Sequence, residues 1–324
     1  MGRLVRIATA SLVVAALVVP HARADAPKPY RVGYNNWIGY LALFVAKEKG
    51  FFTAEGLDVQ TKMFSAPGDG LPPLLAGDLD AHLTTADSVI VALDKAPGQV
   101  VNVYLTDTSA GADAILAKKT IATVKDLKGH EVAATLGQCN HLLLVKALEK
   151  AGLSAKDVKI TNMNPDDAGA AFAAGKLDAA ATWEPWITKI SGEKTGHVVF
   201  SSKEVPNLIL DTLAISKATA GSKAAETKAF IRALNKGNEF VVASPKEAAE
   251  IGAKAMEQTA DEVLGMIPKV KLYGAAANHE QMGGKDKPGP AVAVAKELGT
   301  FFKQQKVNET MVDPATVFDP SFLP

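Results

Sequence analysis

The chain has 324 residues, 35 basic and 35 acidic side chains, and 48% hydrophobic residues. That is enough for one large or two medium domains with real cores. The balanced charge excludes a strongly basic nucleic-acid binder, and the single Cys139 excludes an internal disulfide, so this thiol reads as a small buried hydrophobe.

Arg3 and Arg6, the apolar run from Ile7 to Val19 and the small-x-small site Ala22-Arg23-Ala24 predict a cleaved secretory signal peptide over residues 1–24. The apolar run is short for a membrane span, and no Cys follows Ala24 to carry a lipid anchor. Removing this leader, with its three Arg and no acid, leaves a mildly acidic exported chain.

Tyr30 to Tyr34 has strand composition, and Leu41 to Lys49 is apolar on a helical period and stopped by Gly50. Leu57 to Met63 alternates as a strand, Leu71 to Ala76 is a helix ended by Gly77, and Leu79 to Thr84 and Val100 to Leu105 are strands. The pattern then restarts. Glu131 to Thr135 is a strand, His141 to Ala151 a helix ended by Gly152, Val158 to Met163 a strand, Asp166 to Ala174 a helix ended by Gly175, and Leu177 to Thr182 a strand. Two tandem α/β units follow, each with a largely parallel sheet. Beyond Asp211 the chain is mostly helical, with Thr259-Ala260-Asp261-Glu262 as a capping segment and an amphipathic stretch from Val292 to Lys303. Without strands for a third sheet, these helices pack on the first unit. The expected division is lobe 1 over residues 25–110 plus 214–324 and lobe 2 over residues 111–213, joined by crossovers near Ser109 to Leu116 and Leu210 to Ala214.

One phrase is written twice. Ala76 to Asp87 reads AGDLDAHLTTAD and Ala174 to Trp186 reads AGKLDAAATWEPW; Ala-Gly-x-Leu-Asp-Ala recurs and Thr84 falls on Thr182. In each unit a Gly ends a helix, Leu-Asp-Ala starts a strand, and the residues after Thr lie at its carboxyl end, where open α/β sheets bind ligands. The shared part is scaffold and the divergent endings are ligand contacts, looking into one cleft if the units face each other.

Gly33 to Tyr40 (GYNNWIGY), Val45 to Phe52 (VAKEKGFF), Asp126 to Gly129 (DLKG) and Thr182 to Trp186 (TWEPW) resemble, in the same order, the periplasmic solute-binding proteins of ABC importers for nitrate, taurine, aliphatic sulfonates and thiamine pyrimidines. The resemblance implies a type II periplasmic-binding-protein fold, an α/β architecture whose two lobes close on a solute by hinge motion. It also implies a periplasmic location, an inner-membrane permease as partner, a monomeric state and no cofactor. Asn36 to Tyr40, Pro67 to Pro73 and Asn162 to Asn164 are further similar to a subgroup associated with urea or guanidine carboxylase systems.

The expected cleft loops offer Asn35, Trp37, Tyr40, Ser65, Asp69, Thr85, Asp87, Asp107, Ser109, Asp113, Gln138, Asn140, Trp183, Glu184 and Asp211, with no Lys or Arg among them. A nitrate or sulfonate site ordinarily presents a cation or converging backbone N–H groups. Carboxylates and aromatic faces suit a small cation instead. Guanidinium is the first expectation, held by Asn35, Trp37, Asp69, Asp87, Asp107, Asp113, Asn140, Trp183, Glu184 and Asp211; urea, a sulfonate, taurine, nitrate or a pyrimidine are the alternatives. An enzyme is the rival of another class, with Glu184 and Asp87 as an acid–base pair. His82, His130, His141, His197 and His279 lack metal-ligand spacing, and no His-Glu-x-x-His, Gly-x-Ser-x-Gly or phosphate loop is present. No catalytic residue and no metal site are therefore expected.

Overall fold

The computed structural model describes Gly2 and residues 28–324 apart from Lys194 and Lys285; the rest of the expected signal peptide lies outside the described residues. Among the described residues eleven strands form two sheets: β1 (Lys28–Asn35), β2 (Leu57–Phe64), β3 (Ala81–Thr85), β4 (Val100–Ser109), β5 (Asp113–Ala117), β6 (Glu131–Ala134), β7 (Lys159–Asn162), β8 (Ala179–Trp183), β9 (His197–Ser201), β10 (Leu210–Ser216) and β11 (Val270–Leu272). The first sheet has the order β11-β4-β10-β3-β1-β2 and the second β7-β6-β8-β5-β9.

Strands β3 and β8 are buried along their whole length. Helices cover both faces, so their sequences run small and apolar instead of alternating. β1 pairs in parallel with β2 and β3, and β6 with β7 and β8. Each sheet is nevertheless mixed. β10 lies antiparallel between β3 and β4, and β5 antiparallel between β8 and β9. Leu210 to Ala214, expected as a crossover between units, thus lies within β10, a fully buried central strand of the first sheet. Its backbone groups are satisfied only by pairing on both sides, which a passing segment could not offer.

The crossings themselves are short. Residues 110–112 connect β4 to β5, and residues 202–209 connect β9 to β10. They are stitched together: Gly111 N donates to Ser202 Oγ at 2.7 Å, Ser109 and Ser202 share a hydroxyl hydrogen bond at 2.8 Å, and Thr108 Oγ1 donates to the Ile209 carbonyl at 2.7 Å.

The C-terminal helices cover the first sheet. Helix Ala224–Ala243 packs on helix Leu41–Glu48, where a side chain at Gly237 would overlap the Ala42 carbonyl. Helix Pro290–Gln304 sets Leu298, Phe301 and Phe302 against Val89, Ile90 and Leu93 of helix Ala86–Lys95. Thr259 and Glu262 form the reciprocal cap expected of their spacing.

The repeated phrase performs the same structural task in both sheets. Gly77 and Gly175 end their helices with φ of 83° and 75°, the left-handed conformation that favours glycine. Thr84 Oγ1 donates to the Pro67 carbonyl at 2.7 Å and Thr182 Oγ1 to the Pro165 carbonyl at 2.6 Å. Both bonds clamp a strand to the start of the preceding helical turn, and both are buried. Thr84→Val and Thr182→Val should each lower stability by about 1 kcal/mol in urea denaturation; no loss at either position would show that the clamp is not a stabilising contact.

Candidate ligand-binding site

The topology brings acids to one place. Asp107 lies near the carboxyl end of β4 and Asp87 in the first turn of the helix after β3. Because β5 and β10 run against their neighbours, their first residues sit at that same end. Asp211 stands opposite both Asp107 and Thr85, and Asp113 opposite Trp183. Two of the four carboxylates are therefore carried by the strands that follow the crossings, β5 opening the second sheet and β10 returning to the first.

A tight cavity of about 10 Å³, room for about one water, lies between the sheets, lined by Asn35, Trp37, Pro67, Thr85, Asp113, Cys139, Trp183, Ile209 and Asp211. Trp37 and Trp183 approach across it with ring centroids 6.1 Å apart and planes 55° from parallel. Asp87, Asp107, Asp113 and Asp211 are all 2% exposed or less. Asp107 accepts from Trp37 Nε1 at 3.1 Å and from Thr106 Oγ1 at 3.0 Å, and Asp211 from the Tyr40 hydroxyl at 2.8 Å. Gly39 makes room for this, since a side chain there would overlap the Asp107 carboxylate. Both oxygens of Asp87, both of Asp113, Asp211 Oδ2 and Asn35 Oδ1 are buried without a partner, as is Asn140 Nδ2.

Burial pushes the Asp87 and Asp113 carboxyls up to about 7. Asp107 and Asp211, cross-strand neighbours, are likewise raised, first by burial; for Asp211 the charge of Asp107 adds to it. The Cys139 thiol is held well above its usual range by burial and then by the surrounding Asp87, Asp113 and Asp211.

Two expected residues stand elsewhere. Asp69 is exposed on the turn Pro67–Gly70 and lines a separate surface groove with Gln138 and Lys95. Glu184 is buried, but it accepts from Thr188 N and Thr188 Oγ1, both at 3.0 Å, and pairs with Lys269. A cation thus reaches one of the expected ligand acids, Glu184, and none of the four acids at the cavity among the described residues. Lys269 comes from the C-terminal helical part just before β11, which no local pattern links to the cleft. Asp166 was also not foreseen: its Oδ1 accepts from Trp183 Nε1 at 2.9 Å and Trp186 Nε1 at 3.1 Å. At the level of sequence it reads as an ordinary acid in the first turn of a helix.

A buried acid whose folded pKa is raised contributes stability that is complete below the ordinary carboxyl range and is lost as pH rises through about 7. A neutral amide has no such loss. Ligand-free Asp113→Asn should therefore be more stable than the wild type at pH 8, with the margin shrinking towards pH 5, in urea denaturation at each pH. A margin that does not change with pH would contradict an unpaired buried carboxyl at this position.

The comparisons agree with this architecture. A binding protein of Brucella abortus is 28% identical over 235 residues, 71% of this chain and 72% of its own. The alkanesulfonate-binding protein of Xanthomonas axonopodis pv. citri, solved bound to MOPS, superposes with a TM-score of 0.75 at 22% identity, covering 91% of this chain and 99% of that one. The structure of a desulfurization enzyme also matches, with a TM-score of 0.65 at 15% identity over 90% and 97% of the two chains, so one fold carries both binding and chemistry. The architecture is the periplasmic-binding-protein fold, two α/β lobes with a cavity between them. The model of the NMT1/THI5-like family matches residues 37–248, from the first tryptophan of the cavity to the helix beyond the second crossing, and the chain belongs to that family.

Proposed function

We propose that this chain is the extracytoplasmic solute-binding component of an ABC importer, closing its two lobes on a small cationic nitrogen compound, guanidinium first, and handing it to an inner-membrane permease as a monomer in the periplasm. The observation that carries this reading is the polarity of the unpartnered atoms. Among the residues of the expected site, five carboxylate oxygens and Asn35 Oδ1 are buried acceptors without donors, against one unpartnered donor, Asn140 Nδ2. A buried acceptor left alone costs about 1–3 kcal/mol, more if charged. A solute with donors on every nitrogen and no acceptor satisfies them. A sulfonate or nitrate brings only acceptors and adds negative charge to four acids. The flat faces of Trp37 and Trp183 suit a planar cation. Among the described residues no three His, Cys, Asp or Glu are placed to hold a metal ion, so the acids surround an organic solute better than a metal.

Binding without chemistry fits the same residues. The expected acid–base pair is divided, since Glu184 is engaged by Lys269 and Thr188. Cys139, the thiol at the cavity, is held protonated by its burial and its acidic neighbours and makes a poor nucleophile.

A thermal-shift and calorimetric panel of guanidinium far below denaturing concentrations, urea, choline, taurine, nitrate and pyrimidines tests the assignment. Guanidinium at 100 times its dissociation constant should add about 2.7 kcal/mol of stability. Asp87→Asn or Asp113→Asn should weaken its binding by about 2–5 kcal/mol, as for a desolvated charge pair. Glu184→Gln should act less, because Lys269 already neutralises that acid. Tight binding of nitrate or taurine with none of guanidinium would overturn the reading.

A further inference from the structure

The chain has three tryptophans, Trp37, Trp183 and Trp186, and each indole N–H ends on a carboxylate. Trp37 uses Asp107, whereas Trp183 and Trp186 converge on one oxygen, Asp166 Oδ1. Asp166 is the second residue of helix Pro165–Ala173, whose start is fixed by Pro165 and by Asn164 Oδ1 accepting from Asp167 N at 2.9 Å. Its negative charge sits at the favourable end of that helix. Gly169 of the same helix lies against the Trp186 ring, where a side chain would overlap it. No ion pair joins Asp166 among the described residues. Its partners in the structure are therefore the two indoles.

The direction of an indole ring about its last side-chain torsion is a soft coordinate, and apolar packing alone defines it poorly. A hydrogen bond from Nε1 defines it, because that N–H is the one polar handle of the ring. We propose that Asp166 is a positioning residue for the solute: by holding Trp183 through Nε1 it fixes the plane of the cavity wall opposite Trp37, and so sets the preference of the cavity for a flat cation over a tetrahedral one. This rests on the reading of the site as a cation site. A guanidinium stacks flat and needs the plane of the wall to match the directions of its N–H groups to the carboxylates. An ammonium acts as a point charge with rotatable donors and tolerates a tilted wall. Loosening the wall therefore costs the planar ion more.

The test compares Asp166→Ala, Asp166→Asn and the wild type in calorimetric titrations with guanidinium and with methylammonium, alongside tryptophan emission and acrylamide quenching of each ligand-free protein. Asp166→Ala should weaken guanidinium by about tenfold, the scale of one aromatic–cation contact, weaken methylammonium much less, and increase quenching. Asp166→Asn keeps an oxygen that accepts both indoles and should behave as the wild type in every arm. If Asp166→Ala does not fold, Asp166→Glu, which displaces the acceptor by one methylene, should show the same selective loss in smaller degree. Equal weakening of both cations, an Asn variant as impaired as Ala, or unchanged quenching would overturn the assignment. If the wild-type protein binds neither cation, the cation reading fails by itself and the preference for flat cations falls with it. Quenching of the ligand-free variants still decides whether Asp166 holds Trp183.

Discussion

Four carboxylates are buried together, Asp113 and Asp211 lining one small cavity and Asp87 and Asp107 beside them, and no ion pair joins any of the four among the described residues. Each charge loses its hydration on burial and repels the others at low effective dielectric. Burial therefore favours the protonated form of each, which is what the upward shifts at Asp87, Asp107, Asp113 and Asp211 express. Lys269 could have relieved the charge but is directed to Glu184, which also takes two hydrogen bonds from Thr188. Relief of the remaining four is thereby left to protons or to a solute.

The fold supplies this concentration of charge through its two crossings. A purely parallel pair of lobes would present only strand ends to the cavity. Inserting β10 and β5 antiparallel adds two strand beginnings at the same place, and Asp211 and Asp113 occupy them. The serine and threonine bonds that tie the crossings together lie next to these acids: Asp113 N itself donates to Ser109 Oγ at 3.2 Å. The short connections between the two sheets therefore lie close to where the charge is densest. Around this hub the duplicated scaffold is conservative. Thr84 and Thr182 make the same clamp to Pro67 and Pro165, while the next residues differ and give Thr85 and Asp87 on one side and Trp183 and Glu184 on the other.

Much of this was legible in the sequence where local signals are strong. Gly50, Gly77, Gly152 and Gly175 mark helix ends because a positive φ leaves few alternatives, and the repeated phrase located two strand ends at the cavity. Buried acids at Asp87, Asp107, Asp113 and Asp211 followed from reading which loops lie at those ends. The sequence was silent where non-local pairing decides. β9 reads HVVFS, a partly exposed edge strand with little periodicity, and it was not anticipated. β10 has the composition of a connecting strand and reveals its central position only through its partners. Asp69 looked like Asp87 in context but stands on an exposed turn, and Lys269 reaches Glu184 across 85 positions of sequence that no pattern bridges. Asp166 could not be separated from any helix-starting acid until the indoles above it were placed.

On the proposed reading, a cation replaces protons in this cavity. Calorimetry of guanidinium binding near pH 7, repeated in buffers of different ionisation enthalpy, counts those protons directly. Acids raised to about 7 must ionise to receive a cation, so the account predicts net proton release on binding and an affinity that rises with pH through that range. Binding that exchanges no protons, or takes them up, would contradict it.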